Sequence, residues 1–305
     1  MLRTLIAVAA LLIATQATAA EVPGPLVGPG WVAENRDAVT VLDVRGNPDA
    51  FAAKGHIPGA ALVPWDDVRA EVERDGQALT RMRPRAEDFQ ERMRGWGVDS
   101  GEAVVITSPG KGLGHLAHST RLYWQVKYFG HDNVAILDGG NAAWVAADKD
   151  LRQGESAPER GDFRVREERS GILATTAAVE EALETGGARL VDNRPLSFYL
   201  GMDTKSYVKA PGHIPGSKVL PFMHLAKGGE KGLTFRSKEQ LRGYAEAMGI
   251  DPGAPVITYC NSGNVATMGW FVLHELLGNP DARAYDGSMH AWTQADRPTV
   301  TMRLE

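Results

Sequence analysis

The chain has 305 residues, 43% of them hydrophobic and 23% charged, an ordinary globular composition. Its length suits two domains of about 130–150 residues better than one. With 33 Lys and Arg against 38 Asp and Glu the net charge is −5, which argues against nucleic acid as a partner, because phosphate binding needs a basic footprint.

Residues 1–20 read as a secretory signal peptide. Arg3 supplies a positive start, residues 5–13 form an unbroken apolar run, and Ala17 to Ala20 is a small-residue cleavage site. The run is too short to span a bilayer, so the mature protein is expected to be periplasmic or secreted, with no membrane association after cleavage. Exported chains usually carry cysteines in pairs, yet Cys260 is the only one here. A leftover thiol is either incidental or reactive.

Residues 21–148 alternate short β-branched runs with helical patterns. A strand at 39–44 leads into Asp43-Val44-Arg45, and His56-Ile57-Pro58-Gly59 follows. A helix is expected over 87–96, a strand over 103–107 and a second helix over 119–129. Gly97 and Gly130 stand where helix C-caps favour positive φ. Between the last two elements lies a loop holding Pro109, His115 and His118. The two histidines have metal-like spacing but no third ligand nearby, so no metal site is assigned. Leu137-Asp138-Gly139-Gly140, with Trp144, closes the segment. Residues 149–170 are charged and carry Gly154, Pro158 and Gly161, which suits a linker, and Phe163 and Val165 are placed to dock it.

Residues 171–305 repeat the pattern. Leu190-Val191-Asp192-Asn193-Arg194, His213-Ile214-Pro215-Gly216, Val256-Ile257-Thr258 and Tyr285-Asp286-Gly287-Ser288 with Trp292 return in the same order. Strands are expected at 189–191 and 255–259, and helices at 238–248 and 265–277. A period this long marks a duplicated domain rather than a solenoid. Strands alternating with helices imply two α/β domains, each with a mainly parallel sheet covered on both faces. Trp144 and Trp292 are read as core, and His213 as the holder of a turn.

Cys260 follows the 255–259 strand, at the carboxyl end where such folds bind ligands. The turn Cys260-Asn261-Ser262-Gly263-Asn264 is polar, and Val265 opens the next helix. Strand, tight loop and helix start together aim backbone N–H groups at an anion, with Gly263 free to adopt the left-handed conformation. A thiolate or persulfide anion held there would be stabilised. The matching residue in the first copy is Pro109, so the fold does not demand a cysteine.

With these motifs in order, the chain resembles the rhodanese family of sulfurtransferases in its tandem form. The resemblance implies an active second domain and a first domain that has lost its cysteine and closes over the cleft. It implies a double displacement: Cys260 takes sulfur from a small anionic donor such as thiosulfate or 3-mercaptopyruvate, then gives it to a thiol or cyanide. No metal or organic cofactor is implied, because the cysteine carries the sulfur. The loop lacks the cations of thiosulfate-type members, and Ser262 matches the serine of mercaptopyruvate-type members. In that pattern Ser262 and His56 would handle a proton, with Asp43 or Asp49 behind them. Arg194 would grip the donor's anionic end, and Lys205 or Lys209 would stand in for a second arginine.

Two other readings compete. A persulfide carrier fed by an exported partner would use the same residues without turnover. A cysteine-based phosphatase would need arginine six positions after the cysteine, where this chain has Ala266.

Overall fold

The computed structural model describes residues 20–74 and 76–302, so residues 1–19 of the expected leader lie outside the described residues. The first copy begins β1 (Leu26–Val27), α1 (Pro29–Asn35), β2 (Val39–Arg45), α2 (Asp49–Lys54) and β3 (Ala61–Pro64). A hairpin of β4 (Ala70–Arg74) and β5 (Gln77–Met82) precedes α3 (Ala86–Gly95), β6 (Ala103–Thr107), α4 (Leu113–Tyr128), β7 (Val134–Leu137) and α5 (Gly140–Ala146). The second copy begins β8 (Leu173–Ala174), α6 (Thr176–Thr185), β9 (Arg189–Asp192), α7 (Leu196–Tyr199) and β10 (Lys218–Val219). Its hairpin, β11 (Ala226–Gly229) and β12 (Gly232–Phe235), leads to α8 (Lys238–Ala247), β13 (Val256–Tyr259), α9 (Asn264–Trp270), β14 (Ala282–Tyr285) and α10 (Ser288–Gln294).

Each copy builds one five-stranded parallel sheet. The orders are β1-β7-β6-β2-β3 and β8-β14-β13-β9-β10, identical once the repeat is allowed for. Every side chain of β6 and of β13 is buried, as expected of central parallel strands covered on both faces. In β13 the register pairs Tyr259 with Asp192, which brings the end of the Asp-x-Arg strand beside the Cys260 turn.

One apolar core runs through both copies. Helix α4 packs on α9, with Tyr123 edge-on to Phe271 (ring centroids 4.9 Å) and 6.4 Å from Trp270. The copies also exchange hairpins. Thr80 of β5 donates its amide to His290 Nε2 on α10 (3.2 Å). In the other direction, Leu233 and Phe235 of β12 donate to Gly110 O (2.8 Å) and Asp138 Oδ1 (3.1 Å) of the first copy. The 149–170 segment is strapped to the first copy: Phe163 is buried, and its amide donates to Val98 O (3.1 Å). The backbone at Gly161 passes so close that a Cβ there would lie 2.1 Å from Val98 O.

Two helices depart from expectation. Helix α4 starts at Leu113, six residues before the expected position 119, so His115 and His118 lie in its first turns rather than in a loop. Three glycines near its start disguise it, since glycine weakens helical propensity while burial of Leu116 and Ala117 overrides it. The helix expected over 265–277 is α-helical only to Trp270; Phe271–Leu276 is a π-turn. Four consecutive side chains, Trp270 to Leu273, are buried there, and the wider turn accommodates bulk on every side.

Candidate active site

Cys260 sits directly after β13, 2% exposed. Its loop is tied down from beneath by a single hydroxyl. The amides of Cys260 and Gly263 donate to Ser288 Oγ (3.0 and 3.1 Å), and Ser288 donates to Tyr285 O (2.8 Å) while lying 3.9 Å from the Cys260 sulfur. Gly263 has φ +76°, which lets the chain turn into α9. The amides of Asn261, Ser262 and Asn264 donate to no protein acceptor among the described residues. These N–H groups, with the start of α9, form a concave donor set able to hold an anion.

Ser288 has φ +50°, a conformation that favours glycine, and its counterpart in the first copy is Gly140 at φ +58°. The copy that holds the cysteine therefore keeps a serine where the backbone prefers none. Its hydroxyl satisfies two buried amides, which compensates for the strain.

The first copy supplies charge to this site. Arg121 of α4 donates to Asp286 Oδ1 (2.6 Å) and to Gly263 O (3.3 Å). Arg74 and the Arg83 amide bind the other oxygen of Asp286, each at 3.1 Å. Burial opposes ionisation of Asp286, but Arg121, Arg74 and these hydrogen bonds prevail and hold its carboxyl at about 2. Arg81 lies over the Tyr207 ring at 4.7 Å, and the Tyr207 hydroxyl is 3.3 Å from Ser262 Oγ. Burial pushes the Tyr207 phenol up, with Cys260, Arg81 and Arg69 all near enough to act on it. Arg69 is itself lowered by burial and by Arg81 and Arg121, although Asp66 binds it, and its buried Nε has no partner among the described residues. Guanidiniums crowded this way favour an anion between them.

The expected site residues fall into two groups. Cys260, Asn261, Ser262, Gly263, Asn264 and Val265 form the turn and helix start as expected. Arg194 touches the loop through Nη1 on Asn261 Oδ1 (3.2 Å), but its other donors go to both Asp192 oxygens and Gly212 O. Arg45 binds Asp43 and Gly55 O in the same way, so this pairing belongs to the fold of both copies. His56 is buried in the first copy, stacked on Phe51 with Nδ1 3.3 Å from Phe51 O, and no contact joins it to Ser262. His213 repeats that arrangement on Tyr199. Asp43 is spent on Arg45 and Asn141, and Asp49 is exposed. Lys205 is exposed with its ammonium 5.6 Å from the Phe198 ring, and Lys209 pairs with Asp296. Trp144 and Trp292 are buried and donate to Asp150 O and Pro298 O.

Ser288, Tyr207, His290 and the arginines of the first copy were not singled out from the sequence. For Ser288 a signal existed: Asp-Gly-Gly in the first copy becomes Asp-Gly-Ser in the copy that has the cysteine. For the arginines none did, since they act across long stretches of chain, 142 positions in the case of Arg121 and Gly263.

A lone buried cysteine stands at the carboxyl end of one of two duplicated parallel sheets, and side chains of the first copy reach across to its loop. The chain belongs to the rhodanese-like domain family, whose model matches twice, at residues 28–147 and 175–295. Among curated relatives, human 3-mercaptopyruvate sulfurtransferase is 31% identical over 248 residues, covering 80% of this chain and 78% of that protein. The sulfur carrier protein TtuD of Thermus thermophilus is 31% identical over 282 residues, covering 88% and 94%. The solved structure of the 3-mercaptopyruvate sulfurtransferase SseA from Escherichia coli, described as having the rhodanese fold, superposes with a TM-score of 0.72 at 25% identity, covering 87% of this chain and 98% of that one.

Proposed function

We propose that this protein is a sulfurtransferase that charges Cys260 with sulfane sulfur from a small anionic donor, thiosulfate or 3-mercaptopyruvate, and discharges it to a thiol or cyanide. The observation that carries the reading is the Cys260 turn itself, whose Asn261, Ser262 and Asn264 amides have no protein acceptor among the described residues, and whose neighbours include Arg121 on Gly263 O and Arg81 over Tyr207. With thiosulfate, the Cys260 thiolate attacks the outer sulfur, the S–S bond breaks, and sulfite leaves with the electron pair. With 3-mercaptopyruvate, the C–S bond breaks instead and the enolate of pyruvate leaves. The donor's thiol proton must then reach the enolate carbon. Ser262 and the protonated Tyr207, 3.3 Å apart, are the hydroxyls suited to relay it. Attack by cyanide or a thiolate on the outer persulfide sulfur returns Cys260 as thiolate.

Intact mass after incubation with each donor tests this. A gain of about one sulfur atom that disappears in Cys260→Ser supports the reading; an unchanged mass with both donors refutes it. One relative is named a sulfur carrier, which favours a second reading as a persulfide carrier charged by a protein. That reading expects no steady-state turnover with free donor and cyanide. Residues 1–20 support an exported location, which cell fractionation checks.

A further inference from the structure

The counterpart of the Cys260 cleft in the first copy is an open cavity of about 650 Å³. It lies at the carboxyl ends of β2 and β6, where Pro109 replaces the cysteine. Ligands in parallel α/β folds bind at this end, and the volume is in the range of small-molecule sites. The cavity is lined mainly by carbon, with Ala142, Val145 and Leu151 among its walls.

Its charges are not balanced. Lys54 and Lys111 line it and are exposed, and neither has an ion-pair partner among the described residues. Arg45 is already neutralised by Asp43, and Glu230, from the second copy's hairpin, is the one carboxylate among the lining residues. The sixteen-residue α4 begins at the cavity with Gly112 as N-cap and no side-chain cap, which adds the positive end of its dipole. His115 and His118 also line the cavity, at positions where the second copy has Ala266 and Gly269, so the fold requires neither ring. Burial lowers both, His118 to about 4 with help from His115 and Arg69. At neutral pH they are uncharged flat surfaces, His118 backed by Trp65 at 3.8 Å.

We propose that this cavity is a second binding site, taking a small organic carboxylate with a compact apolar body. Lys54 and Lys111 hold the carboxylate at the start of α4, and the histidine rings and aliphatic wall hold the hydrocarbon. The site is independent of sulfur transfer and remains if Cys260 is removed.

Calorimetric titration of the full chain carrying Cys260→Ser with benzoate, at low salt, tests the proposal. One benzoate per chain is expected, and the neutral benzamide is expected not to bind. The double variant Lys54→Glu, Lys111→Glu should weaken benzoate binding at least about tenfold, as should filling the cavity with Ala142→Trp, while Arg81→Ala leaves it unchanged. No heat with benzoate overturns the proposal. So does binding that is indifferent to the lysine charge reversal, or binding lost in Arg81→Ala, which would place the probe at the Cys260 cleft.

Discussion

Arg121→Met removes the central link between the copies. Arg121 and Asp286 side chains are each 1% exposed and meet at 2.6 Å, so the substitution strands a carboxylate in the interior. Removing one partner of a buried pair costs about 3–5 kcal/mol, because the remaining charge stays desolvated. Arg74, with its side chain 29% exposed, and the Arg83 amide still bind the other Asp286 oxygen, which places the expected cost near the lower end, about 3 kcal/mol. Urea unfolding followed by both tryptophan fluorescence and far-UV circular dichroism measures it, with coincident curves licensing a two-state treatment. The double variant Arg121→Met, Asp286→Asn should cost less than the two single changes added, by about 1–3 kcal/mol. The acid limb should shift as well. In the native chain Asp286 is held at about 2, below the ordinary carboxylate, so its contribution is complete above about pH 4 and is lost as pH falls towards 2. Without Arg121 the folded-state value rises and that window narrows. A cost under about 1 kcal/mol, or strict additivity in the double variant, refutes the idea that this pair joins the copies.

Ser288→Gly relaxes the positive φ but deprives the Cys260 and Gly263 amides of their acceptor; we expect persulfide formation to slow about tenfold or more, and full activity in this variant would show that the hydroxyl is dispensable. Arg81→Ala should raise KM for the anionic donor about tenfold and flatten its dependence on ionic strength, with a smaller change in kcat; equal salt sensitivity before and after would remove Arg81 from the donor's path. His118 is held at about 4 in the folded chain, below its ordinary value, so the unfolded chain takes up the proton first and stability drops between about pH 6.5 and 4, by up to about 3 kcal/mol. His118→Gln should reduce that slope in thermal melts recorded across this range, and an unchanged slope would mean that the ring is not held neutral.

The fold was legible because the chain states it twice. Ordered repeats fixed the copy number, continuous apolar runs marked the central strands, and the Cys260 turn stood at a strand end. The repeat also offers a test that separates structure from chemistry. His56 with His213, and Arg45 with Arg194, recur in both copies with the same ring stacking and the same Asp and glycine-carbonyl partners, Arg194 adding its bond to Asn261. Such residues serve the fold. Cys260 against Pro109 and Ser288 against Gly140 differ between copies, and both lie at the site. The first copy's arginines were not legible, because they sit on a short hairpin and a helix whose partner is reached only after both copies fold. Arg74 and Asp286 are separated by 212 positions, and no local pattern carries such a pairing.

The exchanged hairpins make dilution a relevant variable. Were the two copies separate molecules, closure of the Cys260 cleft would be a bimolecular event that weakens as concentration falls. The strapped 149–170 segment makes it unimolecular, with an effective concentration set by a short tether rather than by the surroundings. Cleavage within that segment would leave every atom of the Cys260 turn in place and yet make closure of its cleft depend on protein concentration.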